Sequence, residues 1–221
     1  MQYKNIVSAN FISRPNRFIA IVDLNGEEVT VHVKNTGRCR ELLLPGTRVF
    51  LEKSDNPERK TLYDLVAVEK AGRIINIDSQ APEIVVGEWL SELGKFDVVK
   101  PQYKYGNSRI DYYMIKDGRE YLLEVKGCTL FKDGVGYFPD APTERGAKHL
   151  GELTKALKEG YRTYIAFVIQ GEDIEEVRPN AETDPAFTAA YLKALKAGVK
   201  ALFLKCKVTE STLEIIGGEE P

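Results

Sequence analysis

The chain reads as a mixed α/β protein in two parts: a five-stranded β-barrel of the OB type, then a mixed sheet flanked by helices. Three observations predict this. Short strand-like runs separated by turn dipeptides fill residues 1–80, whereas helices alternate with strands after Asp78. Apolar residues make up 43% of the 221 positions, enough for a sizeable core. Charged residues make up 29% and nearly cancel, to a net of −2, so neither disorder nor a generic polycation is expected.

Each element has a local cause. Strands over 18–24 and 28–33 flank Asn25-Gly26, a strong hairpin signal because a type I′ turn needs positive φ at both central residues. Pro45-Gly46 precedes a strand over 47–52. A polar, Pro-containing loop over 53–60 leads to a strand over 62–68, and Ala71-Gly72 turns into 73–77. Five strands fit an OB barrel, although their number alone does not separate it from other five-stranded barrels. Domains are therefore expected at 1–80 and 81–221. A helix over 82–93 opens on proline and stops at Gly94. Strands follow over 97–105, 108–116 and 119–126. A helix over 143–159 carries Leu150, Leu153 and Leu157 on an apolar face. A strand over 164–169, a helix over 184–197, a strand over 199–205 and a last strand ending near Ile216 complete the order. Gly134 and Gly136 mark the loop before the second helix as a mobile arm.

Several classes are excluded. No run approaches the ~18 apolar residues of a membrane span. The N-terminal MQYKNIVSANF has no apolar segment of the kind a signal peptide needs. Cys39, Cys128 and Cys206 are far apart and odd in number, so they read as buried thiols in a reducing cytoplasm. With only His32 and His149 beside them, no zinc spacing forms.

The chemistry concentrates in residues 108–127. Asp117-Gly118 is a two-residue hairpin turn, which sets Asp111 opposite Glu124 and Arg109 opposite Lys126. The other face then holds Ile110, Tyr112, Met114, Tyr121, Leu123 and Val125. Carboxylates ~5 Å apart repel by about 3 kcal/mol at an effective dielectric near 20. Either water, a shared proton or salt links to Arg109 and Lys126 offset that repulsion, or a hard cation sits between Asp111 and Glu124, where oxygen ligands suit Mg²⁺ or Mn²⁺. Lys126 would then attend a water or a phosphate. Polyanion contacts are expected from Asn35, Arg38 and Arg40 after a barrel strand, with Arg14, Arg17, Lys34 and Arg48 as further cations. Arg145 and Lys148 add a phosphate site at the start of the second helix. The net charge splits into +2 for residues 1–80 and −4 for the rest, a weakly basic grip joined to an acidic site.

Asp111 with Glu124-Val125-Lys126 resembles the core of the PD-(D/E)xK nuclease superfamily, and the element order over 82–169 is similar to that core. The proline before the aspartate is absent, since Arg109-Ile110 stands there. More closely, the whole chain resembles the sugar fermentation stimulation protein A family through the blocks 32–43 with Pro45-Gly46, 123–129 and 138–150. That resemblance implies an OB domain, a nuclease-like domain, DNA binding and a regulatory role in sugar (maltose) metabolism. It implies Asp111 and Glu124 as metal carboxylates, Lys126 as the catalytic lysine, and Glu88 as an acidic residue from the first helix. The expectation is a DNA-binding protein with a Mg²⁺- or Mn²⁺-dependent phosphodiester hydrolase site. The alternatives are a non-catalytic DNA-binding transcriptional regulator with a nuclease fold and a small-molecule sensor. DNA is the expected partner, no membrane is expected, and a homodimer is compatible with the chain.

Overall fold

The computed structural model describes residues 1–35 and 37–221, and its first six strands build the barrel. They are β1 (Ile6–Asn16), β2 (Ile19–Leu24), β3 (Glu27–Val33), β4 (Arg48–Lys53), β5 (Tyr63–Lys70) and β6 (Arg73–Asn76). The order is β3-β2-β1-β4-β5-β6, and parallel pairing of His32 with Asp64 and Val33 with Leu65 closes the first five strands. Asn25 and Gly26 have φ of 58° and 90°, the left-handed pair that a two-residue hairpin demands. Phe11, Val22, Val31, Leu51 and Leu65 fill the barrel, plugged by Cys39, Leu42 and Leu43.

The count of five strands from residue 18 onward omits β1. Its sequence, IVSANFISRPN, breaks apolar alternation, and its register against β2 shifts between Phe11 and Ser13 and again before Asn16. Bulges insert unpaired residues and erase the period of two by which strands are read.

The second part holds α1 (Ala81–Leu93), β7 (Val98–Tyr105), β8 (Ser108–Lys116), β9 (Arg119–Cys128), β10 (Leu130–Lys132), β11 (Val135–Phe138), α2 (Glu144–Lys158), β12 (Arg162–Ile169), β13 (Val177–Pro179), α3 (Pro185–Ala197), β14 (Lys200–Val208) and β15 (Leu213–Gly217). Six strands form a mixed sheet ordered β15-β14-β12-β9-β8-β7, parallel across β9-β12-β14 and antiparallel at both flanks. Val85, Val86 and Leu90 of α1 pack on one face with Tyr112, Met114 and Leu123. On the other face, Leu150, Leu153 and Phe187 from α2 and α3 pack with Tyr113 and Leu122. The helix boundaries match the expected ones. Gly94 is left-handed at φ 58°, Thr143 accepts from Gly146 N at 3.0 Å, and Asp184 accepts from Phe187 N at 2.8 Å. A second oxygen of Asp184 accepts from Thr143 N at 2.7 Å, tying the starts of α2 and α3 together.

The segment expected as a mobile arm is instead the hairpin β10–β11, extended by β13 into a small sheet. Asp133 and Gly134 supply its left-handed turn. Gly136 belongs to the ladder, where a Cβ would lie 2.9 Å from Cys128 Sγ. Glycine there signals close packing rather than mobility.

The barrel and the sheet domain are tied together. Gln170 Nε2 donates to Asn76 Oδ1 at 2.7 Å and to Asp78 O at 3.0 Å, and Asn76 N donates to Gln170 O at 2.9 Å. The first residues cross to the far edge of the sheet domain, where Tyr3 N donates to Ser211 O at 2.8 Å. All three cysteines are buried and unpaired, and burial pushes each thiol up to about 12. Among the described residues, no helix is long and apolar enough to cross a membrane.

Candidate functional site

The β8–β9 hairpin sets the floor of the site. Asp117 and Gly118 take φ of 50° and 70°, and the ladder runs from Lys116↔Arg119 to Tyr112↔Leu123, the register expected from the turn. The ladder stops one pair short of Asp111 and Glu124. There the Asp111 side chain takes the place of a backbone acceptor, receiving Val125 N at 2.7 Å. On the neighbouring strand, Gln102 is left-handed at φ 52° and leaves the β7–β8 ladder opposite Asp111. This irregularity corrects one expectation. Ile110 packs with Tyr113 and Leu122 on the α2 side, not with Tyr112 and Met114. Arg109 is exposed and pairs with Lys104 in the ladder rather than facing Lys126.

Asp111 and Glu124 are 8% and 1% exposed at the base of an inter-domain cleft of about 820 Å³. Glu124 Oε1 accepts from Lys126 Nζ at 2.5 Å and from His149 Nδ1. His149 is itself buried, and its Nε2 lies 3.4 Å from Arg145 Nε. Glu124 Oε2 is buried with no hydrogen-bond partner. Burial would raise Glu124, but Lys126 and His149 outweigh it and hold the carboxyl below the usual range. Asp111 goes the other way. Burial first, then the charge on Glu124, push it up to about 6, against the pull of Lys126 and the Val125 amide.

Besides Asp111 and Glu124, the cleft is lined by Asp140, from the loop before α2, and by Glu83, in the first turn of α1, and not by Glu88. Glu83 accepts from Gln102 Nε2 at 2.5 Å, and its carbonyl accepts from Tyr112 OH at 2.8 Å. Glu88 lies five residues on, ~140° around the helix, and pairs with the N-terminal amine at 2.6 Å. Its position corrects the choice made from sequence, where nothing distinguishes the faces of a helix of low amphipathicity. Among the described residues, no three His, Cys, Asp or Glu side chains converge into a complete metal cage.

Of the expected anion contacts, Arg17, Asn35, Arg38, Arg40 and Arg145 line this cleft, while Lys34 and Lys148 do not. Lys34 sits among Asp78, Asp64 and Glu52 at 3.3, 3.4 and 3.8 Å, and Lys148 donates to Asn107 O at 2.8 Å. Asn35 lines the cleft with its amide already used on Ile77 O and Gly37 N. Arg14 also lines it, yet it spends its guanidinium on the carbonyls of Asn35, Arg17, Gly37 and Arg38 at 2.5 to 2.9 Å. It holds the cationic loop in shape. Arg17, Arg38, Arg40 and Arg145 are exposed and have no carboxylate partner within ion-pair distance among the described residues. Sequence reasoning missed Glu83, Gln102 and Gln170, which carry no motif. It weighed His149 only as a zinc ligand and as a residue in the first turns of the second helix, not as a partner of Glu124.

A closed OB barrel joined to a three-layer mixed-sheet domain defines a two-domain protein whose inter-domain cleft is lined by buried carboxylates and exposed arginines. The SfsA N-terminal OB domain matches residues 12–77, and the Sugar fermentation stimulation protein RE domain matches residues 80–212. The chain belongs to the sugar fermentation stimulation protein family. It is 52% identical over 217 residues to the sugar fermentation stimulation protein homolog of Desulfitobacterium hafniense strain Y51, covering 97% of this chain and 95% of that protein. The homolog from Clostridium beijerinckii is 47% identical over 218 residues, covering 97% and 96%. Among solved structures, Pyrococcus furiosus SfsA in complex with Ca²⁺ superposes with a TM-score of 0.86 at 27% identity, covering 99% of this chain and 96% of that one.

Proposed function

We propose that the protein binds DNA in the inter-domain cleft and hydrolyses phosphodiester bonds there with Mg²⁺ or Mn²⁺ held by Asp111 and Glu124. The observation that carries this reading is Glu124 Oε2. It is a buried carboxylate oxygen with no partner, beside a second buried carboxylate whose affinity for protons is raised. A carboxylate in that position has lost its water and gained nothing for that oxygen, a cost that a hard cation removes. Lys126 and His149 fix the other oxygen, so the free one has a set direction. Glu83 fits as a further oxygen ligand through water, since two protein carboxylates with retained waters suit Mg²⁺. The Ca²⁺ named with the Pyrococcus furiosus relative supports an oxygen-ligated divalent cation. When bound, such an ion supplies a Lewis acid and a water of lowered pKa.

This chain's own groups do the rest. Arg17, Arg38, Arg40 and Arg145 grip phosphates as bidentate donors. Lys126 is placed to orient a water or to balance charge gathering on the phosphoryl oxygens. Incubating plasmid, linear and single-stranded DNA with Mg²⁺ or Mn²⁺ tests the reading. Cleavage by wild type and none by Glu124→Gln is expected, while cleavage that persists in the variant, or none with any substrate, overturns it.

The second reading, a non-catalytic DNA-binding regulator of sugar metabolism, is supported by the exposed arginines of the cleft, which can hold phosphates without a metal. It requires salt-sensitive DNA retention without turnover, and larger losses from Arg38→Ala than from Asp111→Ala. Under either reading, the buried reduced thiols suit a cytoplasmic protein.

A further inference from the structure

We infer that the cleft takes single-stranded rather than duplex DNA, with an unpaired base stacked on Phe18 at its rim; the inference rests on the cleft being a DNA site. Its shape comes first. At about 820 Å³ the cleft is walled by the barrel loop around Arg38 and by the start of α2. Asp111 and Glu124 lie at its base, so the scissile phosphate must descend between the walls rather than rest on an open face.

Those walls are tied to each other. On one side Gln170 braces Asn76 and Asp78 across the junction. On the other, Asp140 reaches the barrel loop, where its Oδ1 would lie 2.7 Å from a Cβ on Gly37 and its Oδ2 accepts from Cys39 Sγ at 4.0 Å. Widening the cleft for a duplex would break the buried Gln170 bonds at one end and the part-buried Asp140 contact at the other. A single strand needs no such opening.

The rim chemistry points the same way. Phe18 is 51% exposed in the β1–β2 turn, next to Arg17 of the cleft wall. An exposed ring on an OB barrel offers a stacking platform, and only unpaired bases have a face to give it. The free cations around the cleft are guanidinium groups, which hold phosphate and also stack on splayed bases. The one cleft lysine, Lys126, is engaged by Glu124. Away from the cleft, Arg48, Arg59, Arg73 and Arg178 each pair with a carboxylate.

The test is fluorescence anisotropy in Ca²⁺ with labelled oligothymidylate and with the duplex it forms with oligoadenylate. At least tenfold tighter binding of the single strand is expected. Phe18→Ala should weaken it about tenfold with unchanged thermal stability, as loss of one stacked base predicts. Equal or tighter duplex binding overturns the inference and leaves the DNA reading standing. Tight single-strand binding that Phe18→Ala does not alter overturns the stacking role. Binding of neither probe overturns both the inference and the DNA reading.

Discussion

Asp111 and Glu124 occupy one environment yet hold protons differently, and the cause is what each oxygen touches. Glu124 is hydrogen-bonded to Lys126 and His149, whereas Asp111 has the more distant charge of Lys126 and one backbone amide against burial and a neighbouring anion. Folded Asp111 keeps its proton up to about 6, above its unfolded value of 3.8, so it favours folding below the lower value and loses that contribution as pH rises through the higher one. In EDTA, wild-type stability should therefore fall between about pH 4 and pH 7, by at most about 3 kcal/mol. Asp111→Asn should flatten that slope, and chemical denaturation across pH reads it directly. Glu124 works with the opposite sign in a separate window. Its stabilisation is present above 4.5 and is lost as pH falls further. His149 gives a second prediction at this scale. His149→Phe should weaken Mn²⁺ binding by ~10–100-fold, because Glu124 loses its orienting donor. His149→Asn keeps an amide N–H near the place of Nδ1 and should recover most of the affinity by calorimetric titration.

At the scale of elements, the β8–β9 hairpin shows how far local signals reach. Asp117-Gly118 and the alternation around it are enough to pair Tyr112 with Leu123, because turn type fixes register. They do not reveal that the ladder yields before Asp111, since that depends on Gln102 in a third strand. The first helix teaches the same lesson. Glu83 and Glu88 are both plausible acids in sequence, and only packing on Tyr112 turns Glu83 toward the cleft. Glu83→Ala should lower Mn²⁺ affinity while Glu88→Ala leaves it unchanged and costs less than about 1 kcal/mol, as a half-exposed ion pair should. Isothermal titration beside urea unfolding separates the two. Gly127 follows from the strand's neighbours. A Cβ there would lie 2.7 Å from Pro82 Cγ and collide with Gln170 Oε1. Gly127→Ala should destabilise by ~1–3 kcal/mol, the cost of overpacking a tight junction.

For the molecule as a whole, the two parts act as walls of one site. Four free arginines on a single strand predict a plot of log affinity against log salt with a slope near −3, reduced by about 0.7 in Arg38→Ala. Anisotropy titrations over a salt series measure it. The sequence by itself determined the barrel's hairpins, the order of helices and sheet strands, the helix boundaries at Gly94 and Asp184, and the pairing that brings Asp111 near Glu124. Each of these depends on residues close in the chain, where φ preferences and periodicity act. Tertiary structure alone decided that Lys34 is consumed by three carboxylates while Arg17, Arg38, Arg40 and Arg145 stay free, and that Glu83 rather than Glu88 faces the site. It also decided that His149 closes on Glu124 from a helix 25 residues away. Whether a charge is spent or available depends on partners brought together from distant parts of the chain, and local sequence carries no record of them.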